Sequence, residues 1–358
     1  MQARYQIRLY NISGAQVAVL DNWDNLEINK NVNGFHDHVL QMDLDDERVQ
    51  YFTTDALLRI MRRIPGESWY EEYCGFHRTP HKTISEKGKK QFVSYGRGLV
   101  DLLRRRSLGY YATSAFGIKS GPGETVMKEF VNENAGPGAN NALRLSNGVT
   151  LGLSIEGDSG RGDNWFGQRS YRNLLELLQE IALATDVDFD VVYLGANLFE
   201  FRCYYPCLGT DRTTTVKFAP ELGNMDQPNY SKSRTEEGNV VFALGSGEGT
   251  SRHTLVRSTA AVGDSPWNRS EIICDARQED TYNALNTAAL EALEAAQARE
   301  EFNFQVIQTP GLQYGKDYFL GDLITARFED VISVKKIVGI KIQVSEGKER
   351  IAAEFADL

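Results

Sequence analysis

Residues 245–252 read GSGEGTSR, three glycines alternating with small or acidic residues ahead of Arg252. Backbone N–H groups in such a loop can cradle a phosphate, and an arginine can clamp it. Ser159 lies in GDSG at 157–160, the setting of a serine nucleophile, and RGD follows at 161–163, an adhesion-type tripeptide. Cys203 and Cys207 close the stretch CYYPC, which could supply half of a zinc site. The imidazoles are His36, His38, His77, His81 and His253. Glu67, Glu71 and Glu72 cluster with Trp69 and Tyr70, a mixture that would suit sugar binding or glycoside hydrolysis.

Each chemistry demands more than its residue types. A dinucleotide fingerprint needs a third glycine where Thr250 stands, and a Walker loop needs a lysine. The following HTLVRST alternates like a strand. A glycine-rich hairpin turn or bulge is therefore predicted, with Gly245, Gly247 and Gly249 free to take positive φ. Glu248 and Arg252 would then pair with each other or with a neighbouring subunit. Ser159 needs a histidine base and an acid to orient it, and no histidine sits in a protease-like setting. RGD is read as a surface loop.

The cysteine pair lacks a second pair or a nearby histidine, so all four cysteines, with Cys74 and Cys274, are expected as buried free thiols. His36 and His38 would share one strand face, which permits chelation. Pro80 forbids the helix that would join His77 to His81. Polar strand positions are the expectation for both pairs. The glutamates have no partner acid recognisable from sequence, and Arg104–Arg106 reads as a solvated or subunit-facing stripe. No catalytic residue, cofactor or metal is expected.

The elements that must position these groups are mostly strands. A chain of 358 residues, 41% hydrophobic and 25% charged, is long enough for several domains and too apolar for disorder. The net charge is −10, and the whole acid excess lies beyond residue 120, which argues against a nucleic-acid clamp. The N-terminus alternates polar and apolar residues, unlike a signal peptide, so synthesis in the cytoplasm without membrane insertion is expected. Residues 4–60 alternate with breaks about every ten residues, as in a barrel or sandwich. Helices are predicted after Pro122, over RSYRNLLELLQEIALATD with Ser170 as N-cap, and over 278–300 with Leu285, Ala289, Ala292 and Ala296 in one stripe. VDFDVVYLGANLFEFRCYY reads as a hairpin turning at LGAN.

The layout and several stretches resemble the siphophage tail-tip hub family, also called baseplate or distal tail hubs. The stretches are LLRIMRRIPGESWYEEYCGFHR, VSYGRGLVDLLRRRSLGYYA, RSYRNLLELLQEI, ALGSGEGTSR and PGLQYGKDYFLGDLITA. The resemblance implies an α+β, β-dominated fold with two tube-protein-like β-barrels and helix-bearing accessory domains. It implies a first barrel over 1–112, a mixed α/β accessory domain over 113–203, a second barrel from 204–240 plus 301–358, and an inserted strand-helix segment at 241–300. The implied role is structural and not enzymatic. A homotrimer at the virion's tail tip would join tail tube to tip and close or gate the DNA channel. Its implied partners are a distal tail protein or tail tube ring, the C-terminus of the tape-measure protein, and central fibre or tip proteins. Genome DNA would pass through the lumen without specific binding. At 358 residues, none of the enzymatic domains that some members carry is expected. A tail-tip cell-wall hydrolase, or a carbohydrate-binding receptor module using Trp69, Trp165 or Trp267, is the alternative.

Overall fold

The computed structural model describes residues 3–86, 88–109, 117–139, 144–145 and 151–357; the boundary expected at residue 112 falls outside them. Strands come first: β1 (Arg4–Tyr10), β2 (Gln16–Leu20), β3 (Asn25–Asn31), β4 (Asp37–Asp43), β5 (Leu57–Arg63), β6 (Tyr70–Ile84) and β7 (Lys90–Gly98), then the short helix α1 (Asp101–Arg104). The middle holds β8 (Gly117–Pro122), α2 (Gly123–Asn134), β9 (Leu153–Ile155), β10 (Asn164–Arg169), α3 (Leu174–Thr185), β11 (Asp188–Gly195) and β12 (Leu198–Tyr204). There follow β13 (Lys217–Phe218), β14 (Met225–Ser233), β15 (Val240–Leu244), β16 (Thr254–Ser258), β17 (Glu271–Asp275), α4 (Tyr282–Ala295), β18 (Arg299–Val306), β19 (Leu323–Phe328), β20 (Val331–Ser345) and β21 (Lys348–Asp357).

Local chemistry accounts for many of these limits. In β1 the apolar Tyr5, Ile7 and Leu9 are buried and alternate with more exposed Arg4, Gln6 and Arg8. The β11–β12 hairpin turns at Ala196 and Asn197, both with positive φ, as a tight two-residue loop requires. Helix α3 starts three residues later than Ser170 would place it. The Asn173 side chain accepts from the amides of Leu175 and Glu176 and caps the helix there. Thr281 caps α4 through the Ala284 amide.

The fold is β-dominated as expected, but the first seven strands do not close into a barrel of their own. Eleven strands form one sheet in the order β13-β19-β20-β3-β4-β7-β6-β5-β1-β2, with β21 added on β20. The edge of β3 that a closed barrel would return to β2 is taken by β20, from Gly339 opposite Asn31 to Ser345 opposite Asn25. The reason is length. Strand β20 runs 15 residues, so its first half pairs β19 while its second half pairs β3. Strand β21 follows its other edge, with an irregularity between Ile337 and Gly339. Two separate barrels are thus replaced by one continuous sheet.

Residues 1–226 and 305–358 make one compact unit and 227–304 another. In the larger unit, Ile7, Leu9, Leu26, Ile28, Leu40 and Ile60 are wholly buried at alternating strand positions. The middle segment shares a second core with the sheet: Leu57, Phe76 and Leu99 pack with residues such as Phe130 of α2 and Leu178 of α3. In the smaller unit, β15 lies between antiparallel β16 and parallel β17. Val241 and Ala243 pack there against Leu285, Ala289 and Leu293 of α4. Residues 227–240 and 301–304, expected in a second barrel, fall in this smaller unit, because β14 pairs with β18 in a ribbon of its own.

A buried charge network ties the first strands to the last. Arg62, 3% exposed, donates to Tyr5 Oη at 2.9 Å, both Glu349 oxygens at 2.8 and 3.0 Å, Tyr70 Oη at 2.6 Å and the Tyr314 carbonyl at 3.0 Å. Glu72 beside it accepts from Lys30 Nζ at 2.8 Å, Tyr314 Oη at 2.7 Å and Tyr70 Oη at 2.8 Å.

Two stability outcomes follow, both read by urea unfolding. Glu72→Ala leaves Lys30 without its carboxylate and the Tyr70 and Tyr314 hydroxyls without their acceptor, while Arg62 keeps Glu349, and should cost about 3–5 kcal/mol; a loss below about 1 kcal/mol would contradict the network. Leu178→Ala opens a cavity at a wholly buried helix position and should cost about 2–5 kcal/mol.

Candidate functional site

The glycine-rich segment 245–252 is the connection between antiparallel β15 and β16, as the alternation after it implied. The Gly245 amide donates to His253 O at 2.8 Å and the His253 amide to Ser246 O at 2.9 Å, which closes the turn. Gly247 and Gly249 have φ of 98° and 55°, and a Cβ on Gly247 would meet Ser251 O at 2.5 Å. Arg252 does not pair with Glu248. Its guanidinium donates to the Gly245 and Leu244 carbonyls at 3.1 and 3.3 Å and to Asp275 at 2.6 Å. An arginine satisfied by the loop's own carbonyls and a carboxylate is not free to clamp a phosphate.

The GDSG–RGD stretch is bound to helix α2. Asp158 accepts from Thr125 Oγ1 at 2.7 Å. Arg161 grips buried Glu124 through both carboxylate oxygens, at 2.7 and 3.0 Å, and donates to Cys203 O at 2.8 Å. Lys128 completes the cluster, 2.6 Å from Glu124. Burial works against the Glu124 charge, but Arg161 and Lys128 outweigh it and hold the carboxyl down to about 2. RGD is therefore only partly a surface loop: its arginine is an internal anchor. No histidine is hydrogen-bonded to Ser159 among the described residues.

The three glutamates take different partners, though Glu71 and Glu72 line one cavity. Glu72 is enclosed in the Arg62 network, Glu71 pairs with Arg59, and Glu67 lies 4.0 Å from Lys316. Glycoside hydrolysis needs two carboxyls facing an open cleft, and Glu72 has no solvent access. Arg63 stacks on the Trp69 ring at 4.9 Å and leaves that residue 36% exposed, whereas Trp165 is buried under Arg169 and closed to a sugar. Trp267 is 88% exposed. Arg104 and Arg105 both reach Asp101, Arg105 also reaches Asp55, and Arg106 donates to Arg144 O. The arginine run therefore clamps α1 and is not a free stripe.

Cys203 and Cys207 remain free thiols. Burial pushes the Cys203 thiol up to about 12 and raises Cys207 as well, which disfavours the thiolates a metal needs. Among the described residues no three His, Cys, Asp or Glu side chains gather as a metal site, and no helix is long and apolar enough to cross a membrane.

One polar cavity, of about 180 Å³, was not foreseen; Lys30, His36, Glu71, Glu72, Cys74 and Asp190 line it. His36 Nδ1 accepts from the Asn31 amide at 3.1 Å, which leaves the proton on Nε2, facing Asp190 at 3.9 Å. Desolvation, aided by Lys30, lowers His36 to about 3, and desolvation raises Asp190 to about 6. Burial also raises the Cys74 thiol well above its usual range, so no activated nucleophile faces the cavity. Its parts come from β3, the β3–β4 turn, β6 and β11, and no sequence spacing brings those together.

The fold has counterparts among tail proteins, two of them from prophages. The tail protein from Neisseria meningitidis MC58 is 11% identical, with a TM-score of 0.55 over 98% of this chain and 97% of that one. The prophage MuSo2 43 kDa tail protein from Shewanella oneidensis is 12% identical, with a TM-score of 0.60 over 99% and 98%. The prophage tail protein gp18 from Listeria monocytogenes EGD-e is 9% identical, with a TM-score of 0.53 over 98% and 94%. At such identities the likeness is one of fold. No curated protein matches the sequence. The sequence pattern of the siphovirus ReqiPepy6 Gp37-like proteins, however, matches residues 6–356, nearly the whole chain, and the protein belongs to that family.

Proposed function

We propose that this protein is the structural hub of a long-tailed phage's tail tip, a homotrimer that joins the tail tube to the tip and surrounds the DNA channel. The observation that carries this reading is the near end-to-end likeness of its fold to phage tail proteins, together with its membership of a siphovirus family. The architecture supports it physically. An eleven-stranded open sheet ends at β2 on one side, and an open edge invites pairing with a neighbouring chain. Arrangement in a ring satisfies such edges without leaving a filament to grow.

On this reading the neighbours are a distal tail or tube ring, the end of the tape-measure protein, and fibre or tip proteins. An acid excess suits a channel that lets DNA pass, because it repels the phosphate backbone. The sites read above supply binding energy and rigidity, and none supplies an activated nucleophile or a paired acid and base.

Two measurements test the reading. Native mass spectrometry of the purified protein should give three times 40.2 kDa, and antibody against it should label the tail tip in electron micrographs; a monomer with no tail labelling would refute the hub. Retention of duplex DNA in a filter-binding assay at low salt should be at background, and salt-sensitive binding would contradict the passive channel.

A further inference from the structure

Ser94, on β7, stands between two imidazoles. Its Oγ lies 3.2 Å from His38 Nε2 and 2.7 Å from His77 Nδ1. His38 Nδ1 in turn lies 2.9 Å from the Tyr73 hydroxyl. The four side chains sit on β4, β6 and β7, neighbours in the large sheet, and none is more than 2% exposed.

Proton counting limits what this chain tolerates. Ser94 has one hydrogen and cannot donate to both rings, so at least one imidazole donates to it. If His77 Nδ1 accepts, its proton sits on Nε2, an atom with no hydrogen-bond partner. If His77 Nδ1 donates, Nε2 is a bare lone pair. His38 could hold a second proton against the Tyr73 and Ser94 oxygens, but His77 could not. A further proton would make an imidazolium whose Nε2–H meets no acceptor, beside the Phe52 and Phe92 rings at 5.5 and 6.2 Å.

The surroundings do not rescue that charge. Arg78 repels it, and the Asp55 carboxylate that attracts it is already shared by Arg78 and Arg105. For His38 the repelling neighbour is His77. Asp37, Asp101 and Arg97 lie within electrostatic reach of Tyr73. Nor is there slack for movement. Gly96 leaves room for the His38 ring, and a Cβ there would come within 2.1 Å of both His38 Cε1 and Phe76 O.

We propose that the His38–Ser94–His77 chain is an acid-sensitive lock on β4, β6 and β7, which ties the strands together when neutral and releases them when protonated. Burial first, then the neighbouring His77, lowers His38 to about 3; burial first, then Arg78, lowers His77 to about 4. An opened chain takes up protons near the ordinary histidine value of about 6.5. The lock is therefore complete above about pH 6.5 and fails as the pH falls toward 4. For His77 alone, the ratio of open to closed should rise ~20-fold between pH 7 and pH 5.

The test is hydrogen exchange of the intact protein at pH 7 and pH 5, corrected for intrinsic exchange, with residues 227–304 as internal reference. Peptides of β4, β6 and β7 should lose protection by tenfold or more relative to that reference. His77→Phe cannot take up a proton, and its neighbours Phe52 and Phe92 favour a ring there, so it should blunt the loss. Equal protection at both pH values, or an identical response in the variant, overturns the proposal. If the variant does not fold, NMR titration of the wild-type imidazoles decides: both rings should stay neutral to below pH 5, and titration near 6.5 refutes the lock.

Discussion

Fifteen consecutive residues, Val331–Ser345, hydrogen-bond to three different strands, and the larger unit depends on that sharing. A short strand would have served one partner on each edge, and the N-terminal strands would have been left to close on themselves. The long β20 instead changes partner along one edge, from β19 to β3, and accepts β21 along the other. One continuous sheet results, so the first and last segments of the chain order each other. Loop-closure entropy makes such a distant pairing costly to begin, but the cost grows only slowly with the length of chain between.

The charge networks have a matching logic. Arg62, Glu72 and Glu349 sit where β1, β5, β6 and β21 converge, and Arg161, Glu124 and Lys128 sit where a loop meets α2. Each buried charge has a partner and further hydrogen bonds, which is the condition for burying it at all. Replacement by apolar residues could pack as well, but it would not specify which strand lies beside which. A registry role for these clusters fits a protein whose sheet must bring distant segments into one alignment.

This pattern also shows how the side chains of the motifs that invite catalysis are otherwise engaged. Catalytic groups need unsatisfied capacity directed at a cleft. Here Arg252 spends its donors on two carbonyls and Asp275, Glu72 spends its oxygens on a lysine and two tyrosines, and Asp158 holds a threonine. Reactive residue types in this chain work as fasteners.

Much of the local structure was legible in the sequence. Period-two alternation marked β1, glycine spacing and a following strand marked the 245–252 turn, and small residues at helical spacing marked α4. These follow from interactions within a few residues. Where side chains compete at one helix start, as Ser170 and Asn173 do, the choice depends on which carbonyl and amide groups come within reach. The resemblance placed the chain among tail proteins, and the family match agrees. What the sequence by itself determined was therefore the order and type of elements and the family. Only the tertiary structure decided that β3 takes β20, that Arg161 turns inward to Glu124, that His36 faces Asp190, and that Ser94 bridges His38 and His77. Those partners lie up to hundreds of residues apart, and their meeting is set by sheet register and burial, which no local spacing encodes.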